Sequence, residues 1–253
     1  MTAENVPYHP DPLLNKIVKR LWLKDLNYIV GIIGSYGSGK TCAGLWVCKE
    51  VDPTFNISRV VYSAEEFLKL LLDEGEKKLE KGSAILYEEA SVSVRNRLWY
   101  TKTNLAISAA VDTIRDRNFL LVFTMPFKKN IDKNIRSGFH AVIRMVGEPD
   151  RKRGVSTGKY RLVSVDELYG NTDKPWYPRV NAEGIYGVGK LDEIVIPRCD
   201  VELEMQTKKK KDQFRKDYFS NALKNIERLG VGDLQNMETS LKEIPQIDLY
   251  ETF

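Results

Sequence analysis

Five short apolar runs recur along the first 147 residues: Tyr28–Ile33, Arg59–Tyr62, Ala84–Tyr87, Phe119–Phe123 and Ala141–Met145. Apart from Arg59 and Arg144 they are apolar rather than alternating, the pattern of strands covered on both faces of a parallel sheet. Stretches of helical periodicity separate them. Before the first lies a short helix around Leu13 to Leu23. Between the second and third, Ser63 and Glu66 form a capping box that opens a helix. Before the fourth, Ile107, Ala110 or Val111, and Ile114 recur at three to four residues and give a helix one buried face. Strand alternating with helix predicts an α/β fold.

Beyond Met145 the pattern changes. Glu148 to Gly158 is charged and turn-rich, Lys159–Val165 and Leu191–Ile196 read as strands of an antiparallel appendage, and Tyr169–Lys190 reads as an ordered insertion of low regularity. From Val201 to Leu229 a long basic amphipathic helix is predicted, with Phe214, Tyr218 and Ala222 on one face and Gly230 as its C-cap. The expected organisation is an arm at 1–26, a core at 27–147, a β-rich appendage at 148–200 and a basic helical tail at 201–253.

The turn after the first run carries the most specific chemistry. Gly34, Ser35, Tyr36, Gly37, Ser38, Gly39, Lys40 and Thr41 complete G-x-x-x-x-G-K-[ST] between a strand and a helix beginning near Gly39. Glycines let successive N–H groups converge on a phosphate, and the positive helix end adds to the attraction. Lys40 reaches the β- and γ-phosphates, the Thr41 hydroxyl ligates Mg²⁺, and Cys42 continues the binding segment. The expected ligand is a nucleoside triphosphate, ATP with Mg²⁺.

The third run ends in two adjacent carboxylates, Glu88 and Glu89. One carboxylate cannot serve both the metal and the attacking water, so order along the strand assigns Glu88 to the metal and Glu89 to the water as catalytic base. Thr124, at the tip of the fourth run, is the candidate γ-phosphate sensor. The alternative is an ordinary strand-end threonine that satisfies backbone groups.

These features resemble the additional-strand, catalytic-glutamate class of P-loop ATPases, in particular the FtsK/HerA-like DNA motors. They look closer still to the small archaeal virus and plasmid ATPases related to packaging motors and to the Zot-like proteins. The resemblance spans about residues 25 to 147 and rests on Gly34–Thr41, Tyr87–Ala90, Asn96–Trp99 and Thr113–Asn118. It implies a P-loop NTPase fold with a mainly parallel five-strand sheet in the order 5-1-4-3-2, assembly as a homo-oligomeric ring, and ATP-driven movement of DNA, double-stranded for a packaging motor. The sequence departs from the class twice: Glu88 stands where most relatives have Asp, and Thr124 where many motors have Gln. A ring motor also needs an arginine that reaches a neighbour's γ-phosphate. Arg97 is the leading candidate, and Arg95, Arg115 and Arg117 are the others.

Composition adds bounds. Net charge is +4, with 42% hydrophobic and 29% charged residues, as in ordinary globular proteins. From Arg198 to Arg228 nine basic residues face six acidic ones, including the run Lys208–Lys211. Such a run is a solvated face or a nucleic-acid contact. No apolar stretch approaches the ~20 residues that span a bilayer, and no signal segment is visible, so a cytoplasmic location is expected. Cys42, Cys48 and Cys199 show neither disulfide nor zinc spacing; Cys42 and Cys48 read as small core residues in a reduced compartment. Two other functions compete with the motor. One is a nucleotide-dependent switch or loader without translocation. The other is a small-molecule kinase, against which Glu88 and Glu89 argue.

Overall fold

The computed structural model describes residues 11–72, 79–88, 117–126, 138–150, 154–162 and 193–228, with short pieces at 106–107, 109–111, 152, 179–180 and 189–190. The chain divides into two compact units, Met1–Thr207 and Lys208–Phe253.

The first unit is built on a seven-stranded sheet. Its parallel strands are β1 (Tyr28–Ile33), β2 (Val60–Val61), β3 (Ala84–Tyr87), β4 (Leu120–Met125) and β5 (Ala141–Asp150), and their spatial order is 5-1-4-3-2, as the resemblance implies. Two antiparallel strands, β6 (Val155–Leu162) and β9 (Glu193–Pro197), extend this sheet beyond β5. The central sheet is therefore larger than the five strands expected, and the two appendage strands continue it. A separate ribbon pairs β7 (Arg179–Val180) with β8 (Gly189–Lys190).

Two boundaries differ most from expectation: β6 begins at Val155, inside the segment read as turn-rich, and β5 does not stop at Met145. β5 runs on to Asp150 through charged residues that read as a turn, with a register irregularity between Val146 and Asp150. Pairing with β6 supplies ladder hydrogen bonds that local composition does not announce, and the bulge absorbs the mismatch.

The strands are buried as their composition demands. Tyr28, Val30, Ile32, Ile85, Leu86, Leu121 and Phe123 are at most 2% exposed. One face carries an aromatic cluster: Phe67, Tyr87 and Phe123 have ring centroids 5.3–5.8 Å apart, and Phe139 lies 5.9 Å from Phe123. A Cβ on Gly31 would sit 2.7 Å from Phe139, so this strand position has no room for a side chain. Ile107 packs into the same cluster, with Ala110 and Val111 at its edge; Ile114 lies outside the described residues.

Helix α1 (Pro12–Leu23) begins with Asp11 Oδ1 accepting the Leu14 N–H at 3.1 Å, and proline at its first position forfeits no helix bond. Its face of Leu14, Ile17, Val18 and Leu21 is buried. Helix α2 (Lys40–Val51) follows the glycine-rich turn, and α3 (Ala64–Leu71) opens on the expected cap. Ser63 Oγ accepts the Glu66 N–H at 3.1 Å, but Glu66 Oε2 reaches one residue further back than in the usual box, accepting from Tyr62 N–H at 3.1 Å.

A buried ionic node ties the end of α2 to the sheet. The Asp52 carboxylate pairs with the Arg59 guanidinium and accepts the Ala84 N–H at 2.9 Å and the Thr54 N–H at 2.9 Å. Both charged side chains are nearly inaccessible, at 7% and 10%. Asp52→Ala strands the Arg59 charge in the interior and orphans the Ala84 donor. Removing one partner of a buried pair costs about 3–5 kcal/mol. The expected result is a lower denaturation midpoint with an unchanged slope against denaturant.

Helix α4 (Val201–Arg228) crosses the boundary between the units. Within the first unit, Leu203 and Thr207 are buried, and the Thr207 carbonyl accepts from the Tyr62 hydroxyl at 3.1 Å. Beyond it, Lys208 and Lys209 are exposed, Lys210 and Lys211 half-exposed, and Phe214 and Tyr218 stack along the helix at 6.2 Å. Among the described residues, no helix is long and apolar enough to cross a membrane.

Candidate nucleotide site

β1 ends at Ile33, and the chain turns through Gly34–Gly39 into α2 at the C-terminal edge of the parallel strands. Gly37 has φ of 77° and Gly39 of 86°, the left-handed region that glycine enters without steric cost. Two further constraints fix the turn. A Cβ on Gly34 would lie 2.6 Å from Ser38 Oγ and 2.9 Å from Met145 Cβ, while one on Gly39 would lie 2.6 Å from Ser156 Oγ. The turn is closed by Ser38, whose N–H and hydroxyl donate to the Ser35 carbonyl at 3.3 and 2.8 Å.

Gly39 caps α2 without any side-chain hydrogen bond, and no acidic residue occupies the first turn. The positive end of the helix dipole is thus offset by no carboxylate of its own first turn, the condition for anion binding at this end. Lys40 Nζ donates to the Gly34 and Ser35 carbonyls at 2.8 and 2.6 Å and stands 5.7 Å from the Tyr36 ring centroid. The ammonium is therefore held over the turn itself. Tyr36 is 76% exposed. Thr41 and Cys42 are half-buried on the first turn of α2.

The topology brings the other candidates to the same edge. β4 lies between β1 and β3, with Ile32 paired to Thr124 and Tyr87 paired to Phe123. Glu88, one residue past Tyr87, is thereby level with Thr124 in the parallel register. Glu88 is 1% exposed, and its N–H donates to the Val61 carbonyl at 2.9 Å. Thr124 is fully buried, with its methyl directed at α2: a Cβ on Gly44 would be 3.4 Å from Thr124 Cγ2 and 2.7 Å from Leu86 Cδ1. Glycine at position 44 allows α2 to pack closely on the strands that carry the polar tips.

The donor set suits a magnesium nucleotide: a turn with no room for a Cβ at Gly34 or Gly39, a helix start without a side-chain cap, an ammonium, a hydroxyl and a nearly inaccessible carboxylate. Glu89, Arg97, Arg95, Trp99 and Arg115 lie outside the described residues. Arg117 donates to the Leu79 carbonyl at 3.2 Å and stands 4.9 Å from the Phe119 ring centroid, contacts that anchor the start of β4.

Two neighbours of the turn were not legible in the sequence. Ser156 on β6 packs against Gly39, although 117 residues separate them. Cys42 is no plain core residue: its Sγ accepts the Cys199 N–H at 2.9 Å, and Cys199 is 5% exposed. A hydrogen bond from the Cys199 side chain draws the Cys42 thiol down to about 7, and that thiol–thiol bond, with burial, pushes the Cys199 thiol up. Cys48 is fully buried, as expected, and burial pushes its thiol up.

No family model matches the sequence, and no curated protein matches it. Solved structures are similar to part of this chain at low identity. The N-terminal domain of zonular occludens toxin from Neisseria meningitidis is 14% identical over 64% of this chain and all of that one, with a TM-score of 0.36. The FIGL-1 AAA domain in complex with ADP is 19% identical over 51% of this chain and 48% of its own, with a TM-score of 0.35. The replication initiator DnaA, bound to AMPPCP and single-stranded DNA, is 17% identical over 54% of this chain and 46% of its own, with a TM-score of 0.32. Each of these TM-scores is below 0.5.

Proposed function

We propose that this chain hydrolyses Mg-ATP and, as a homo-oligomeric ring of the FtsK/HerA-like class, moves DNA. The observation that carries the hydrolysis is the placement of β4 between β1 and β3, which sets Thr124 between the glycine turn and the Glu88 tip. In this reading the turn and Lys40 bind the phosphates, Thr41 and Glu88 hold the metal, and Glu89 takes the proton of the attacking water. Mg²⁺ would offset charge on the β- and γ-phosphates. Thr124 would orient the γ-phosphate from the intervening strand, and Arg97 would act on a neighbour's nucleotide.

DNA movement is supported by the charge of α4. Lys208–Lys211 are exposed or half-exposed on α4, and their ammonium groups suit phosphate contact. Neutralising all four lysines is expected to weaken duplex binding for any sequence. The slope of log K against log salt should fall by about 0.9 for each phosphate that the helix no longer neutralises. Hydrolysis without DNA should survive, while DNA-stimulated hydrolysis should drop. Unchanged affinity and slope would make the run a solvated helix face. Measuring the ATPase rate with and without double-stranded DNA, beside the mass in solution, tests the whole reading. A monomer indifferent to DNA would favour a nucleotide-dependent switch or loader.

A further inference from the structure

Cys42 and Cys199 meet beside the glycine turn although 157 residues separate them. Cys42 lies on the first turn of α2, directly after Thr41, and Cys199 lies between the end of β9 and the start of α4. The Cys42 sulfur is 2.9 Å from the Cys199 amide nitrogen and 3.8 Å from the Pro197 carbonyl oxygen. Within one cysteine the amide nitrogen and the sulfur are three bonds apart. Rotation about the Cys199 Cα–Cβ bond therefore carries its thiol toward the Cys42 sulfur, and a small backbone shift completes the approach that a bridge needs. Both residues belong to the first compact unit, and both thiols are free. Their accessibilities differ in a useful way, Cys42 being half-buried and Cys199 buried.

We propose that Cys42 and Cys199 are a peroxide-reactive site whose reversible disulfide closes the nucleotide turn. Cys42, the accessible partner, reacts first. Its sulfur displaces hydroxide from hydrogen peroxide and becomes a sulfenic acid, and the hydroxide takes the thiol proton as water. The Cys199 sulfur then displaces the sulfenic hydroxyl, which leaves with the Cys199 proton as a second water. Two thiols and one peroxide thus give one disulfide and two waters. Sulfur–sulfur bonding draws the residue after Thr41 toward the β9–α4 connection and fixes the helix start against it. Thr41 and the N–H groups of that turn are the proposed phosphate and metal contacts, so the inference about turnover rests on the ATPase reading. A displacement of about 1 Å in such a site costs about 10²-fold.

The experiment uses the full chain. The reduced protein is treated with hydrogen peroxide, blocked with an alkylating agent, digested without reductant and mapped by mass spectrometry, while nucleotide binding and ATP turnover are measured before oxidation, after it and after dithiothreitol. The expected outcome is a linked peptide pair containing Cys42 and Cys199, with Cys48 recovered as an alkylated thiol. Turnover should fall by about 10²-fold and return on reduction. Cys199→Ser should keep the reduced protein's turnover and resist reversible inactivation by peroxide. Absence of the Cys42–Cys199 peptide overturns the site, whatever the activity. A linked protein that binds and turns over nucleotide as well as the reduced one overturns the closure. Reduced protein that neither binds nor hydrolyses ATP refutes the ATPase reading and the closure with it, while the peptide map still decides whether the thiols bridge.

Discussion

Lys40→Ala will leave the fold in place and remove ATP hydrolysis. The side chain is half-buried at the turn, and its contacts include two loop carbonyls, Gly34 and Ser35, and the face of Tyr36. None of these belongs to the aromatic cluster or to the ladders that hold the sheet. A hydrogen bond of this kind is worth about 0.5–1.5 kcal/mol net, up to about 3 with a charged donor. The turn itself is closed by Ser38 and by the left-handed glycines, which the substitution leaves alone. The functional loss is larger because the ammonium is the one cation the glycine turn carries. Removing a single preorganised donor from developing charge costs about 10²–10³ in turnover, and loss of nucleotide affinity would add to it. Phosphate release measured beside a thermal melt separates the two effects. Near wild-type turnover in a folded variant would remove the basis for a triphosphate site at Gly34–Thr41.

Much of that site is local, which is why it could be read from the chain. Gly34–Thr41 works because each residue acts within eight positions: glycines set the turn, and the helix start and Lys40 follow in register. The capping box at Ser63 and Glu66 is similarly contained, and the burial of β1, β3 and β4, complete but for Ile33, follows from runs with no polar alternation. The order of strands is different in kind. Alternation alone predicts a parallel sheet but does not choose its permutation. The placement of β4 between β1 and β3 came from the resemblance, and the pairings of Ile32 with Thr124 and Tyr87 with Phe123 agree with it.

What was not legible depends on contacts between distant segments. The extension of β5 to Asp150 is dictated by β6, and nothing in Gly147–Asp150 has strand periodicity. Ser156 is an ordinary strand serine until the hairpin folds it onto Gly39. Cys42 and Cys199 share no spacing rule, because their proximity is set where β9 ends and α4 begins. The two strands that carry the sheet beyond β5 thus also wall the glycine turn, through Ser156 on β6 and through the connection after β9.

Glu89→Gln and Glu88→Gln should fail in different ways, and the difference assigns the roles. Glu88 stands at the end of β3, 1% exposed and level with Thr124, where the backbone of Val61 holds its N–H. A carboxylate fixed there by two neighbouring strands suits a metal ligand, whose position must not drift. Glu89 is the next residue and is proposed to face the attacking water. Glutamine keeps the shape of either side chain but cannot accept a proton from water at neutral pH. Glu89→Gln should therefore bind Mg-ATP as the parent does and turn it over about 10²–10⁴ times more slowly, so bound ATP persists. Its magnesium dependence should stay unchanged. Glu88→Gln weakens the hold on the cation instead, so hydrolysis should call for more magnesium and recover in part when magnesium is raised. Titrating Mg²⁺ against turnover in both variants, with direct measurement of bound ATP, distinguishes them. If Glu88→Gln traps ATP at unchanged magnesium dependence while Glu89→Gln stays active, the order of the two roles is reversed, and the buried carboxylate is the base.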